Sequence, residues 1–306
     1  MLYITTSNGV YYFNPETRQI SAIMTNKHTP GFLKKKAFGY FGICFNKVSN
    51  KIIVASREKL GTKRINKPAT DTKLHEIDPT KLSHNTIAVI YDIHDVHQID
   101  CHNNYVYLSD TGKNRVPIYS ITEKRVTMHL NVGKDRTDIN HINAITCQND
   151  KLNIGLNNRG NKLSEIYELP YTLIEKSAEE TILAETIAKI HQIPGLFHSH
   201  DLEPFNQYFL MCASHDGFLI RSDTGQSLTK IGDWTRGIAI SENEIWISAS
   251  QYAKRSKRHS KTLDGYLYRV DRNDFKILER IVIPKAGQIN DLLYLTNDSY
   301  QLTLTT

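Results

Sequence analysis

The sequence contains little cysteine, little tryptophan and no long hydrophobic run. Its 306 residues include four cysteines and two tryptophans. The cysteines lie far apart without a CxxC pair, which argues against a zinc ribbon or a dithiol redox site. They are Cys44, Cys101, Cys147 and Cys212. Free cysteine is among the most buried residue types, so we expect reduced and mostly buried thiols.

No segment approaches the ~18 consecutive apolar residues that a membrane-spanning helix needs. The first residues, MLYITTSNGVYYF, contain no basic region, no long apolar run and no small-residue cleavage site, so they do not resemble a signal peptide. From these absences we expect a soluble, cytoplasmic protein without a membrane partner.

Positive charge exceeds negative charge, and the formal net charge is +6. Three basic runs carry much of the excess, at residues 34–36, 63–67 and 254–261. Each run lies beside or inside an irregular stretch, which is typical of a solvated loop. No recognisable nucleic-acid-binding module accompanies these runs, and aromatic residues are not interleaved with them. We therefore expect no nucleic-acid partner.

Helical periodicity is almost absent, and one β-rich unit recurs along the chain. The unit begins with a short apolar strand, continues through a polar turn into a second strand that ends in small residues, and adds a third alternating strand. Its first strands are GICFN from Gly42, HQIDC from His97, HINAIT from His141, HDLEPF from His200, RGIAIS from Arg236 and INDLLYL from Ile289. Six starts imply six units.

The second and third strands of the units follow at short distance. The second strands are KIIVAS, YVYLSD, KLNIGL, YFLMCAS, EIWISAS and YQLTLT. The third strands are TKLHEID, RVPIYSI, SEIYELP, GFLIRSD and GYLYRVD. Only residues 173–190 show a helical pattern, and we predict them as a short insertion in the third unit.

These units predict an all-β chain that forms a single six-bladed β-propeller domain over residues 1–306. The sixth unit lacks outer strands, whereas the amino-terminal segment has spare strands in LYITTS, GVYYFN and QISAIM. A blade built from both ends of the chain closes the ring and removes its open edges. We therefore predict that residues 2–24 pair in the same blade as residues 289–304.

The first strand of each propeller blade lines the central channel, so its opening residue stands at one mouth. Those residues are Tyr40 with Phe41, His97, His141, His200, Arg236, and Gln288 with Asn290. Side chains two apart on a strand point the same way, so we expect His198 to converge with His200, and Asn143 with His141.

Histidines at equivalent positions of three units, and an arginine in a fourth, indicate a functional site. A single histidine at a strand end is more often structural, but a repeat brings equivalent positions around one axis. Gathering ionisable groups in one place is costly and marks functional sites. We expect a channel that binds a small anionic substrate, with catalytic His97, His141 and His200. The expected substrate-binding residues are Arg159, Arg236, Asn143 and Gln288.

The stretch DINHINAITCQNDKLNIGLNNR, residues 138–159, resembles the central segment of the arylsulfotransferase family, which are six-bladed propellers. The His-Asp pairs in HDVHQ and SHDLE are similar to strands of the same family. Together with WTRGIAI and QINDLLYL, these segments also resemble a group of uncharacterised bacterial propeller proteins, over residues 90 to 295.

The arylsulfotransferase resemblance implies a role for several residues. His200 is the implied nucleophile that takes a sulfuryl group, and His141 with Arg159 binds the oxygens of that group. His94 or His97 assists the acceptor. The chemistry is consistent with the residue types, because a neutral imidazole is a nucleophile and a guanidinium fits a tetrahedral oxyanion.

Two other interpretations use the same residues. In the first, three imidazoles bind Zn²⁺, Mn²⁺ or Fe²⁺ with an open position for substrate, and the protein is a metal-dependent lyase or hydrolase. The candidate ligands are His97, His141, His198 and His200, with Gln288 or Asp201 as a further ligand. Arg159 or Arg236 then holds the carboxylate of an acidic substrate. In the second, the propeller is a non-enzymatic interaction scaffold. We favour group transfer.

Overall fold

The computed structural model of the chain describes residues 1–25, 39–59, 70–132, 137–175, 180–182, 189–253, 260 and 262–296. Six antiparallel sheets form a ring, which confirms the predicted six-bladed β-propeller. The basic runs at residues 34–36 and 63–67, and nearly all of the run at 254–261, lie outside the described residues. No helix of the described part is long and apolar enough to cross a membrane.

One sheet contains strands from both ends of the chain, and we call it the closing blade. It consists of β1 (Leu2–Thr6), β2 (Gly9–Phe13), β3 (Ile20–Thr25) and β25 (Ile289–Tyr294). β25 is innermost and pairs antiparallel with β1, so that Tyr3 lies opposite Leu293. The predicted closure is confirmed for these strands. The predicted strand YQLTLT, residues 300–305, lies outside the described residues.

The other sheets are blades 1 to 5 in chain order. Blade 1 contains β4 (Gly39–Asn46), β5 (Lys51–Lys59), β6 (Thr70–Ile77) and β7 (His84–Ile93). Blade 2 contains β8 (Val96–His102), β9 (Tyr105–Asp110), β10 (Arg115–Ser120) and β11 (Arg125–Asn131). Blade 3 contains β12 (Ile142–Gln148), β13 (Lys151–Leu156), β14 (Glu165–Pro170) and β16 (Lys189–Gln192). The short strand β15 (Glu180–Ile182) lies between β14 and β16 in sequence but belongs to the sheet of blade 2.

Blade 4 contains β17 (Ser199–Phe205), β18 (Tyr208–Ala213), β19 (Phe218–Arg221) and β20 (Ser227–Lys230). Blade 5 contains β21 (Trp234–Ile240), β22 (Glu244–Ser250), β23 (Gly265–Asp271) and β24 (Ile277–Ile283). The first strand of each predicted unit is therefore the innermost strand of a blade. Two single turns of 3-10 helix, Thr111–Lys113 and Asn158–Gly160, follow the second strands of blades 2 and 3.

The helical pattern in residues 173–190 does not produce a helix beyond Ile174 in the part of this segment that the structure describes. The helix α1 (Tyr171–Ile174) is one turn long. The segment is an insertion between β14 and β16, as expected, but its described remainder is extended. β15 pairs in parallel with β11 of blade 2, and β16 is the outer strand of blade 3. Pairing with β11 gives an edge strand a partner, which outweighs the weak helical pattern.

The hydrophobic core of the described residues is divided into six clusters, and each cluster lies between two neighbouring blades. Strand alternation explains this division, because successive side chains point to opposite faces of a sheet. Ile52 and Val54 of β5 pack toward the closing blade, whereas Ile53 and Ala55 pack toward blade 2. Both faces of each blade are thus buried.

All four cysteines are free thiols. Cys44 and Cys212 are buried, while Cys101 and Cys147 are half-buried. Burial raises the pKa of Cys44, Cys147 and Cys212 well above the usual thiol range, so these three thiols are protonated at neutral pH.

Candidate functional site

The innermost strands begin at one end of the channel, which we call the upper end, and finish at the other, the lower end. Residues near the starts of five of these strands line one small cavity together with Gln98 and Asp201. They are His97, Asn143, His200, Arg236 and Asn290. The cavity has a volume of about 10 Å³, which is room for about one water molecule. The repeat therefore places side chains that are distant in sequence around one point.

His97 lies between two other histidines at the upper end. Its ring centroid is 5.2 Å from that of His141 and 6.1 Å from that of His200. The first pair is edge to face and the second is tilted. Blades 2, 3 and 4 therefore each contribute one imidazole to this place.

The environment of His97 is electropositive. Burial lowers its pKa well below 6.5, and the charges of Arg57 and Arg236 and the neighbouring imidazoles act in the same direction. His97 is therefore neutral at pH 7. An anion bound beside it would oppose this field and raise its pKa.

Arg57 was not predicted from the sequence, although it lies directly after the segment KIIVAS of β5. Its guanidinium stacks on Phe41 at 3.6 Å from the ring centroid. It also donates to Asp95 Oδ1 at 2.6 Å and to the Val96 carbonyl at 2.6 Å. These contacts hold a cation from blade 1 next to His97. The sequence did contain a signal for Arg57, which lies at the end of the second strand of its unit. That strand runs antiparallel to the first, so its end lies at the upper end beside Phe41.

Asp138 connects His141 to Arg159. Its Oδ1 lies 2.9 Å from His141 Nδ1, and its Oδ2 forms an ion pair with the Arg159 guanidinium. The Arg159 side chain is 45% exposed. The predicted oxyanion-binding Arg159 is thus at the rim of the site with a carboxylate as partner. Asp138 was not predicted, although it opens the segment that carried the family resemblance.

His200 is buried, and its Nδ1 lies 2.7 Å from Ser214 Oγ. Ser214 follows the second strand of the same blade, so one blade supplies both groups. This contact fixes the orientation of the imidazole ring and sets Nε2 on its opposite edge. Ser214 is a further site residue that the sequence pattern did not indicate.

Three buried amides complete the upper end. Asn143 Nδ2 donates to the Ser199 carbonyl, and Asn290 Nδ2 donates to the Tyr40 carbonyl at 2.8 Å. The Gln288 amide lies against the Arg236 guanidinium, and its oxygen accepts from Nε at 2.6 Å when it is oriented toward that group. Asn143 Oδ1 is buried and accepts no hydrogen bond from the described residues.

The predicted convergence of His198 with His200 is wrong. His198 lies beside Gly160 and 6.1 Å from His215 in ring centroids, and it is exposed. His141 and His198 both precede their strands in the left-handed conformation, with φ of 52° and 57°. Strand alternation therefore does not apply to either residue. His141 nevertheless lies beside His97, whose cavity Asn143 also lines, so the convergence of His141 with Asn143 stays a prediction.

His94 lies apart from the small cavity. Its backbone N–H donates to Asp110 Oδ1 at 2.7 Å, and its ring is 3.6 Å from Asp92. Burial lowers its pKa, and Lys113 acts in the same direction. The resemblance implied that His94 or His97 assists the acceptor. Of these two histidines, only His97 lines the small cavity.

The described residues contain no group of three or more His, Cys, Asp or Glu side chains arranged to hold a metal ion. His141 Nδ1 is oriented to Asp138, and His200 Nδ1 is oriented to Ser214. His198 lies elsewhere. This geometry does not favour the metal interpretation over the anion interpretation.

A contact across the channel separates the small cavity from the lower end. Gln98 Nε2 donates to Asp201 Oδ1 at 2.7 Å and lies 3.4 Å from Asp291 Oδ1. The three side chains come from blade 2, blade 4 and the closing blade. Each also accepts a backbone N–H from the blade that follows it: Gln98 from Ile145, Asp201 from Ile238, and Asp291 from Ile43. We call this group the axial contact.

The comparisons with known proteins concern the fold. No protein-family model matches the chain, and no curated protein matches it. A crystal structure of a nidogen/laminin complex contains a similar chain, with a TM-score of 0.61 and 11% identity over 95% of this chain and 97% of that one. A protein of unknown function from Bacteroides caccae gives a TM-score of 0.60 with the same identity and coverage.

At this identity the likeness shows a shared fold alone. The arylsulfotransferase resemblance and the resemblance to a bacterial propeller group stay interpretations of short motifs. The roles assigned to His97, His141 and His200 stay predictions, as do those assigned to Arg159, Arg236, Asn143 and Gln288.

Proposed function

We propose that the upper end of the channel binds the anionic group of a small molecule and that His200 transfers this group to an acceptor. The observation that carries the proposal is the position of His97, between His141 and His200 and in the field of Arg57 and Arg236. Nitrogen donors that converge from five blades suit a sulfuryl, phosphoryl or similar oxyanion.

The anionic group binds above the small cavity. That cavity has a volume of about 10 Å³ and holds nothing larger than about one water molecule. Above it, the side chain of His141 is 20% exposed and that of Arg159 is 45% exposed. The anion therefore lies between this rim and the ring nitrogens of His97 and of the buried His200.

His200 is the proposed nucleophile. When its Nδ1 carries the proton and donates to Ser214 Oγ, Nε2 has the lone pair. Nε2 attacks the sulfur or phosphorus, the bond to the leaving oxygen breaks with its electron pair, and that oxygen takes a proton from water. An acceptor hydroxyl then attacks the group on His200 and loses its proton to water, and neutral imidazole is regenerated. The motif resemblance supports this chemistry.

Turnover of chromogenic donors tests the transfer. We expect release of 4-nitrophenol from 4-nitrophenyl sulfate or 4-nitrophenyl phosphate, accelerated by phenol as acceptor. The variant His200→Gln should lose about 10²-fold or more of this rate, which is the usual effect of removing a reacting group. The matched control is His84→Gln, because His84 is an exposed histidine on β7. Equal rates for the two variants would refute the role of His200.

Binding is tested separately from transfer. Sulfate should inhibit turnover competitively and raise the melting temperature of the wild type. Arg236→Lys should weaken sulfate binding by about tenfold, because an ammonium does not reproduce the planar donors of a guanidinium. Sulfate binding without turnover would support a binding protein instead of a transferase. Absence of both would favour the interaction scaffold.

A further inference from the structure

The three imidazoles of the upper end have partners that differ in charge. His141 Nδ1 lies 2.9 Å from the carboxylate oxygen Oδ1 of Asp138. His200 Nδ1 lies 2.7 Å from the uncharged hydroxyl of Ser214. Burial and two nearby arginines lower the pKa of His97, which keeps its imidazole neutral. A carboxylate partner is the one that stabilises an imidazolium, so His141 is suited to a different task from His97 and His200.

Asp138 is itself held in place. Its Oδ2 forms an ion pair with the Arg159 guanidinium, and its side chain is 9% exposed. A carboxylate fixed in this way orients the imidazole that donates to it. With Nδ1–H donated to Asp138, the nitrogen of His141 that exchanges a proton with a substrate is Nε2. His141 precedes β12 at the rim, and its side chain is partly exposed, so a substrate reaches it.

The geometry of group transfer determines which oxygen meets His141. The role of His141 rests on the proposed function, in which the anionic group lies between His200 and the rim that His141 and Arg159 form. A nucleophile and its leaving oxygen lie on opposite sides of the sulfur or phosphorus. With His200 on one side, the leaving oxygen therefore points toward the rim.

We propose that His141 is the general acid of the transfer and that Asp138 is its positioning residue. As the bond from sulfur or phosphorus to the leaving oxygen breaks with its electron pair, that oxygen takes the proton of His141 Nε2–H. Neutral His141 remains. In the second half, the acceptor hydroxyl gives its proton to His141 Nε2 while its oxygen attacks the group on His200. Imidazolium at His141 and neutral imidazole at His200 are regenerated, so His141 takes the place of water as the carrier of the proton.

The leaving group provides the test. 4-Nitrophenolate leaves readily without a proton and phenolate does not, so a general acid accelerates phenyl esters more than 4-nitrophenyl esters. We measure kcat/KM for the phenyl and 4-nitrophenyl esters of sulfate and of phosphate, since kcat/KM includes the step in which the donor bond breaks. In His141→Gln, the phenyl-to-4-nitrophenyl ratio of kcat/KM should fall about tenfold or more.

Three further variants separate this role from binding. Asp138→Asn keeps an oxygen that accepts from Nδ1 but removes the charge, so the ratio should fall in the same direction. In the His141→Gln background it should not change the ratio further, because Asp138 acts through His141. Arg236→Lys weakens binding of the anionic group that all these esters share, so it should slow them alike and leave the ratio unchanged. His84→Gln, at an exposed position on β7, should change neither rate nor ratio.

The outcomes distinguish the general acid from the transfer itself. No turnover of 4-nitrophenyl esters by the wild type would overturn the proposed function and the role of His141 together. Turnover that is lost in His200→Gln, with an unchanged ratio in His141→Gln, would overturn the role of His141 alone. An unchanged ratio in Asp138→Asn would overturn the role of Asp138. If His141→Gln does not fold, the ratio in Asp138→Asn decides for both residues.

Discussion

Gln98 and Asp201 form a hydrogen bond across the central channel, with 2.7 Å between Nε2 and Oδ1, although they are 103 residues apart in sequence. Both side chains also accept a backbone N–H from the next blade. The contact therefore joins blades 2, 3, 4 and 5 at the axis. It also separates the upper site from the lower end of the channel.

Replacement of Gln98 tests this connection. Gln98→Leu removes an acceptor from the Ile145 N–H and a donor from the Asp201 carboxyl, so both are left buried without that bond. We expect a loss of about 2–6 kcal/mol in the free energy of unfolding, from about 1–3 kcal/mol for each of the two groups that loses a hydrogen bond. Urea denaturation measures it. Gln251→Leu, at an exposed position, is the control and should change stability by less than about 0.5 kcal/mol.

Removal of residues 1 to 24 tests ring closure. Without β1 to β3, β25 loses its antiparallel partner, and the clusters on both sides of the closing blade lose Tyr3, Ile4 and Phe13. The truncated chain should be insoluble or lack near-ultraviolet circular dichroism, since two blades then expose edges and core. A truncated chain that melts at the temperature of the full chain would show that closure does not depend on these strands.

The pH dependence of stability tests the environment of His97. Its pKa in the folded protein is well below 6.5. Above pH 6.5 the imidazole is neutral in both states, so it has no effect there. Below pH 6.5 the unfolded chain binds a proton that the folded chain does not, so stability falls as the pH falls.

We therefore compare the free energy of unfolding of the wild type and His97→Gln between pH 7 and pH 5. The wild type should lose more stability, with an extra slope of at most about 1.4 kcal/mol per pH unit. His84→Gln, which removes an exposed histidine, controls for a change in histidine content. Parallel curves for the wild type and His97→Gln would contradict an electropositive, desolvated position for His97.

The fold was predictable because each unit repeats the same strand signals. The starts at His97, His200 and Arg236 correspond to innermost strands, and strands from both ends form the closing blade. The helical pattern at residues 173–190 was misleading for the described part of that segment, because pairing with a distant strand determines the structure of β15. Local sequence patterns do not report such pairing.

The candidate site was predictable in part. The repeat indicated that His97 and His200 share one mouth, because equivalent positions surround one axis. The position of His198 was not predictable, since it depends on a left-handed backbone conformation before the strand. Arg57 reaches the site from the end of a second strand, and the position of Asp138 is seen only through its contacts with His141 and Arg159.

The central claim is that the upper end of the channel binds an oxyanion. Crystals of the wild type soaked with selenate measure this directly, because selenium gives an anomalous signal at the position of the anion. We expect one dominant peak at hydrogen-bonding distance from nitrogens of His97, His141 or His200, and no such peak at that place in Arg236→Gln crystals. Selenate bound only at the outer surface, or a peak unaffected by Arg236→Gln, would contradict it.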